Sequence, residues 1–520
     1  MDQISDRMQA SWLVTPEDWL GWAGAYAYLP MIGAFSDEAL PDQWTAAWQN
    51  QPASVLLETG KQGRYTILGS EIGRRIEGAA KRAKVCCSAC NISTETTEQH
   101  IDGSLVTVLR DWLAQRLTPQ VAAAPPFYGG LAGYIAYDAA EGIETLRLPD
   151  RPGLEYPWYI LAEVLAGWIF DHEAGTLFCF QLCPAAPAAA GPDAIKILFA
   201  EAQARVLELR EHWTLLRTQA VPPSPPELPV DLPEGYFSTP EMRLSLNREA
   251  FVAAVAAAQE RIAAGETYQV NLSVRQSRPL PAPPERIYEA LRRLNPSPYM
   301  ALLRFPAVTV VSTSPELLLS VAAGQMETHP IAATRARGDT PELDAAMAAE
   351  LSASAKECAE HLMMVDLLRN DIGRVAEFGS VSVTDFMAIE RYSHVMHLVS
   401  RIEGRLAAGR TVCDAISALF PGGTITGAPK VRTMEIIREL EPARRGIYTG
   451  AIGWIGYNNN LKLNIAIRTL VAVSGEAQVQ SGAGIVADSN PAHEFEESLN
   501  KARALWLAVE RAAGERNTDA

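Results

Sequence analysis

The stretch "VPPSPPELPVDLPEG", Val221 to Gly235, constrains this chain more than any other. Proline fixes φ and removes a backbone donor, so this density of prolines excludes both a helix and a central strand. The stretch reads as an extended linker or a surface crossing. It separates residues 1–220 from residues 236–515 in a chain of 520, too long for one hydrophobic core. Two domains or one large composite are therefore expected. A second loop, "CPAAPAAAGP" from Cys183 to Pro192, falls inside the first region.

Before the break, short β-like runs such as "SVLLET", "LAGYIAYD" and "WYILAEVLAGWIF" accompany the helical "PDAIKILFAEAQARVLELREHW". After it, the helix "NREAFVAAVAAAQERIAAGE" leads into the strand "TYQVNLSVRQSRPL". Long helices are expected around Ala345–Val375 and Lys430–Leu440, a strand through "LNIAIRTLVAV", and a last helix over Pro491–Ala512. Strands come in adjacent groups joined by short turns. That pattern predicts an α+β fold, antiparallel sheets with helices packed outside, over a doubly wound parallel sheet.

A net charge of -16 with no basic block excludes nucleic acid and anionic membrane surfaces as natural partners. Local basic sites for a small anion stay open. The start, "MDQISDRMQASWLV", has no signal-peptide pattern, and no long uncharged apolar run follows, so a cytoplasmic location is expected. The seven cysteines are odd in number and clustered, unlike a disulfide framework. "CCSAC" contains one C-x2-C pair, short of the ligands a zinc site needs.

Two helical stretches carry paired carboxylates. "KECAEHLMMVDLLRND" holds Glu357 and Glu360, and "HEFEESLNKARAL" holds Glu494 and Glu497. Residues three apart share a helix face, where like charges repel. A hard divalent cation would offset that repulsion: Mg²⁺ takes one or two carboxylates and leaves its other positions to water and substrate. From spacing alone a solvated face is the commoner outcome. "FPGGTITGAPKVRTMEII" runs from a Gly-rich loop into a helix, with Thr424, Thr426 and Lys430 beside free N–H groups that suit an anion. Plain helix initiation around Pro429 reads equally well. "NIAIRTL" sets Arg468 in an apolar run, where it needs a carboxylate from the protein or a substrate. In "QSGAGIVADSNP", Gly482 and Gly484 open room beside a strand, for a ligand or for a bulge. His397 in "ERYSHVMHLVSRI" is a candidate acid or base. In "HPIAATRARG", small residues precede Thr334 and two arginines able to hold an anion.

The ordered set "YQVNLS", "SPELLL", "PIAATRARG", "EHLMMVDLLRNDIGRV", "ERYSHVMHLVS", "FPGGTITGAPK", "NIAIRTL", "GAGIVADS" and "EESLNKA" resembles the chorismate-utilising enzymes. The resemblance is strongest from about Leu246 to Ala512. It implies two large packed antiparallel sheets with helices outside and an active site between them. It implies Glu360 and Glu497 as Mg²⁺ ligands supported by Glu357 and Glu494. It implies Ala333, Thr334, Tyr448, Arg468, Lys501 and the Gly482–Ala483–Gly484 backbone as the seat of chorismate, with His397 near the departing C4 hydroxyl.

Family members that add water carry a lysine where this chain has Gln269, and an amide cannot deprotonate water. The nucleophile implied is ammonia, delivered by a separate glutamine amidotransferase subunit, since this chain shows no glutaminase signature. Among the aminating members, "YQVNLS", "GGTITGAPK" and "NIAIRTL" resemble the aminodeoxychorismate synthases. "LLET" with Thr59, and "NPSPYM" with Pro298, Tyr299 and Met300, resemble the tryptophan-binding elements of the anthranilate synthases. Some aminodeoxychorismate synthases carry a nucleophilic lysine at the position of Ala332. Anthranilate synthases carry alanine there, as this chain does.

Overall fold

The computed structural model describes residues 10–514, apart from 37, 43, 45–46, 48–52, 61–62, 88–98, 148, 150, 187–190, 219–240 and 392–394, and apart from the side chains of 71, 332–334, 336 and 395. The proline-rich stretch, Cys90 and the expected contacts of the Ala333 and Thr334 side chains thus lie outside the described residues.

Among the described residues, 23 strands join into one continuous hydrogen-bonded network, and each neighbouring pair runs antiparallel. Helices cover it, so the α+β architecture expected from grouped strands is what forms. The regions before and after the proline-rich stretch interlock. The strand Ser54–Glu58 pairs with Tyr299–Phe305, and Gly130–Ile135 pairs with Ala451–Gly456. At that second joint Gly133 faces Gly453. Across the joint, a Cβ on Gly130 would lie 2.3 Å from the Ile455 carbonyl oxygen, and one on Gly450 would lie 2.1 Å from that of Ile135. Only glycine lets the neighbouring backbones approach so closely.

Two large apolar clusters, each drawing residues from both regions, fill the interior. Strands buried on both faces read in sequence as unbroken apolar runs, as in Ala451–Gly456, where every residue is buried.

Three expected elements break where the sequence suggested continuity. The long helix around Ala345–Val375 is two helices, Pro341–Ala353 and Ala355–Gly373. Ser354 divides them, its hydroxyl accepting from the Glu357 N–H as the N-cap of the second. The last helix is likewise two, Pro491–Asn500 and Arg503–Gly514. The apolar run around Arg468 is two strands, Leu461–Ile465 and Thr469–Val473. Arg468 is therefore not strand-embedded: it occupies the connection between them, with φ +51.

A buried polar node ties the two regions together. Tyr457 donates to Glu163 at 2.7 Å and accepts from the Trp112 indole at 2.9 Å. Glu163 is 1% exposed, and Arg116 lies 3.4 Å from it. Tyr457→Phe removes one partner and leaves a buried carboxylate and an indole N–H short of a bond. The expected loss is about 2 kcal/mol, read as a lower urea midpoint at unchanged slope. A midpoint equal to wild type would show that this node does not hold the two regions together.

Candidate active site

The helix Ala355–Gly373 carries Glu357 and Glu360, and the helix Pro491–Asn500 carries Glu494 and Glu497. Pro491 opens the second helix, and the Asn490 side chain caps it by accepting from the Ala492 and His493 N–H groups. The fold brings the two carboxylate pairs together, which spacing could not reveal. Burial raises the Glu360 carboxyl above its ordinary range. Lys356 opposes that, while Glu357, Asp488 and Glu494 add to it. Burial likewise raises Glu494, against a hydrogen bond from Ser489, with Glu497 adding to the rise. Basic groups flank this acidic group. Lys356 lies 4.0 Å from Glu360 and 3.2 Å from Asp488. Arg335 lies 3.5 Å from Glu357, and Lys501 lies 2.7 Å from Glu497.

The donor set is all oxygen and mutually repelling, which suits a hard divalent cation. Among the described residues no three His, Cys, Asp or Glu side chains gather closely enough to hold an ion by themselves. Water and substrate oxygens would have to complete the shell, as is ordinary for Mg²⁺.

Arg468 donates to the Lys501 carbonyl at 2.6 Å. Burial lowers its pKa, with Tyr448 and Glu497 opposing. Among the described residues it forms no ion pair with a carboxylate within 4 Å. Of the two partners open to it from sequence, a protein carboxylate is therefore not the one used. Tyr448 is buried beside it, and burial keeps its phenol protonated well beyond neutral pH. The Lys501 ammonium also donates to the Gly482 carbonyl at 3.0 Å, so it braces the strand Glu476–Ile485 against Glu497.

Gly482 and Gly484 make room for side chains of the paired strand Gln269–Pro279. A Cβ on Gly484 would lie 2.4 Å from the Gln269 amide nitrogen, and one on Gly482 would lie 2.9 Å from the Asn271 amide oxygen. The amide oxygens of Gln269 and Asn271 are both buried without a hydrogen-bond partner. Ala483 turns its methyl the other way, into the apolar cluster with Phe251 and Val270, leaving only its backbone to face a ligand.

His397 lies on the strand Val395–Arg405, opposite Thr334 of the strand Ile331–Ala336. The register shifts between Ile331 and Thr334, so Ala332 and Ala333 occupy a bulge, a device common beside active sites. Burial, helped by the charge on Arg468, depresses the His397 pKa to about 4. Ligand-free His397 is thus neutral at pH 7.

Other basic groups are already engaged. Arg335 and Arg337 of "HPIAATRARG" pair with Glu357 and, at 2.5 Å, with Asp344, so these guanidiniums are held by protein carboxylates. Lys430 is buried and pairs with Asp371 at 2.6 Å, also donating to the Leu419 carbonyl at 3.2 Å. The "GGTITGAPK" loop is therefore built by helix initiation and internal hydrogen bonds rather than around an anion.

Glu316, in "SPELLL", is the group the motif reading passed over. It is 6% exposed, accepts from Thr424 at 2.6 Å, and burial raises its pKa to about 7. A carboxyl inside an otherwise apolar run was the available signal. Its hydrogen bond to the "GGTITG" loop needs the fold. Separately, Thr59, Pro298, Tyr299 and Met300 line one cavity with Glu58, Arg64 and Lys462, of about 1350 Å³ including its open mouth.

Burial also depresses the pKa of His361 to about 4. Both histidines fall below the ordinary value of 6.5. The unfolded chain therefore binds protons that the folded chain does not. Their contribution to stability is complete above about pH 6.5 and is lost as pH falls toward about 4. The His397 ring resonance, assigned through His397→Gln, should stay that of a neutral imidazole from about pH 8 to about pH 5. A midpoint near 6.5 would contradict its burial against Arg468.

The model of the family described as chorismate binding enzyme matches residues 62–506. Aminodeoxychorismate synthase component 1 of Bacillus subtilis is 41% identical over 92% of this chain and 96% of that protein. Anthranilate synthase component 1 of Pseudomonas aeruginosa is 40% identical over 88% of this chain and 90% of that protein. Among solved structures, anthranilate synthase component I of Streptococcus pneumoniae superposes with a TM-score of 0.68 at 32% identity, covering 85% of this chain and 92% of that one. The menaquinone-specific isochorismate synthase of Escherichia coli shares the fold, with a TM-score of 0.62 at 17% identity. The family model over residues 62–506 and relatives matched along most of the chain make this protein a member of the chorismate binding enzyme family.

Proposed function

We propose that this chain is the large subunit of an aminodeoxychorismate synthase, converting chorismate and ammonia to 4-amino-4-deoxychorismate, with a glutamine amidotransferase as its partner. The observation that carries this reading is the near full-length match to the Bacillus subtilis protein of that name. The residues Gln269 to Ser273 and Gly422 to Lys430 support it. A second reading is anthranilate synthesis, favoured by Ala332 and by the cavity that gathers Thr59, Pro298, Tyr299 and Met300. In either case that cavity is proposed to take tryptophan, with its apolar lining for the ring and Glu58, Arg64 and Lys462 at its polar side.

Chorismate is a dianion whose hydroxyl is a poor leaving group. Arg468, lacking a carboxylate of its own, seats one substrate carboxylate. Glu360 and Glu497, supported by Glu357 and Glu494, would hold a magnesium ion that neutralises the other. Glu316, with a pKa of about 7, holds or releases a proton near neutral pH and can protonate the departing oxygen. His397 offers a neutral imidazole, and a seated dianion raises its affinity for a proton. The orphan Gln269 oxygen can accept an N–H of ammonia but cannot take a proton from water.

The protein is incubated with chorismate, magnesium and ammonium at high pH, with and without a lyase that converts aminodeoxychorismate to 4-aminobenzoate. The expected product is 4-aminobenzoate, formed only with the lyase. Direct release of fluorescent 2-aminobenzoate would establish the second reading instead. Glu360→Ala and Glu497→Ala should each abolish turnover and weaken Mn²⁺ binding, read by electron paramagnetic resonance, at an unchanged melting temperature. Near-normal turnover and binding would remove these residues from the metal assignment. Tryptophan should raise the melting temperature of the wild type and not of a Met300→Glu variant. No shift in the wild type would sink the tryptophan site.

A further inference from the structure

Beneath the site lies a guanidinium that no substrate contact explains. Arg445 is 3% exposed and Glu441 is 3% exposed. All five Arg445 N–H donors are used. Nε and Nη2 donate to the two Glu441 oxygens at 3.0 and 2.8 Å. Nη1 donates to the Ile425 carbonyl at 3.0 Å and to the Thr449 hydroxyl at 3.3 Å. Nη2 also donates to the Asn271 carbonyl at 2.6 Å. Glu441 in turn accepts from the Ser273 N–H and hydroxyl at 3.0 and 2.7 Å. The Tyr137 and Tyr448 rings lie 4.9 and 5.7 Å from the guanidinium carbon.

These acceptors come from separate segments, and each segment carries or contacts a residue of the proposed site. Asn271 and Ser273 belong to the strand that carries Gln269. Ile425 sits in the loop whose Thr424 holds Glu316. Thr449 follows Tyr448 and has φ +61, a rare conformation for a β-branched residue that persists only when its surroundings hold it. One side of that hold is the Thr449 N–H, which donates to the Ala466 carbonyl at 2.8 Å, two residues before Arg468. The other is Arg445.

We infer that Arg445, charge-balanced by Glu441, is the positioning residue of this active site: its planar fork fixes the Gln269 strand, the Thr424 loop and the Tyr448–Thr449 turn relative to one another. A fork of five donors is needed, not a cation alone. A lysine has three donors and no planar geometry, so it satisfies Glu441 but not the three other acceptors. A desolvated ion pair is also a poor device for stability alone, since an apolar pair of the same volume commonly serves as well. The inference rests on the site proposed above, but not on which product forms.

Two variants test it. Arg445→Lys keeps the charge and loses the fork. Thr449→Gly removes the hydroxyl acceptor, and relief of the positive-φ strain offsets part of the cost of the buried Arg445 N–H left without it. Chorismate loss with ammonium as nitrogen donor is followed, an assay indifferent to the product. Each folded variant should lose about 100-fold in kcat, while KM for chorismate changes less than about threefold, the pattern of misplaced reacting groups. The double variant should lose little beyond the worse single, because both act through one hold. A folded Arg445→Lys or Thr449→Gly with wild-type kcat would overturn the inference. If Arg445→Lys does not fold, Thr449→Gly decides alone. A wild-type protein that consumes no chorismate would instead remove the activity on which the site was assigned.

Discussion

The glycine-lined pairing of the strand Gly130–Ile135 with Ala451–Gly456 is what the rest of the molecule is built on. Two polypeptide regions separated by a proline-rich stretch could have formed independent cores. Instead their strands share one hydrogen-bonded network, and at the joint a Cβ on Gly130 would lie 2.3 Å from the Ile455 carbonyl oxygen and one on Gly450 2.1 Å from that of Ile135. Closing the backbones this tightly places the turn after Gly446, with Tyr448 and Thr449, directly before the joint strand Ala451–Gly456. The Gly446 N–H donates to Asp138 at 2.8 Å, a residue from the other region. The candidate site is thus assembled by the same contacts that make the two regions one fold.

Electrostatics then divides the site. Carboxylates crowd the two helices, where their mutual repulsion and burial raise Glu360 and Glu494. Lys356, Arg335 and Lys501 offset part of that charge at the edges. On the other side Arg468 remains without a carboxylate, and its field, added to burial, keeps His397 neutral. An acidic side that suits a cation and a cationic side that suits an anion are consistent with the proposed dianion bridging the two. Neither half makes electrostatic sense alone, because charges taken out of water without partners are costly.

Sequence reading reached the fold class and the family because both rest on local signals. Grouped strands, the helix carrying "KECAEHLMMVDLLRND" and the ordered motifs are written along the chain. What it could not reach are relations between distant segments. Nothing local says that Glu360 meets Glu494, that Lys430 belongs to Asp371, or that Arg337 belongs to Asp344. Boundaries failed where one residue overrides an apolar pattern: Ser354 as a cap inside a helical run, Arg468 with positive φ inside a strand-like one. Glu316 shows the remaining kind of miss. Its residue type was visible, but burial to a pKa of about 7 is a property of the packed site. Gly423 carries the converse warning. It resembles the aminodeoxychorismate type, yet a Cβ there would meet the end of the Leu367 side chain at 2.4 Å, so packing also favours a small residue at this position.

Ala332 bears most directly on how nitrogen enters. It lies in the bulge between Ile331 and Thr334, opposite the strand of His397. An alanine there offers no amine, so the proposed amination cannot pass through a covalent adduct at this residue. In that proposed reaction ammonia would be the attacking group itself, bound as a small neutral donor. The buried, unpartnered oxygens of Gln269 and Asn271 are acceptors without a donor, which an incoming N–H can satisfy, and they are too weakly basic to take a proton from water. Under the proposed amination, the alanine at 332 and the two amides are one chemical choice: nitrogen would be received by hydrogen-bond acceptors and not carried by this residue.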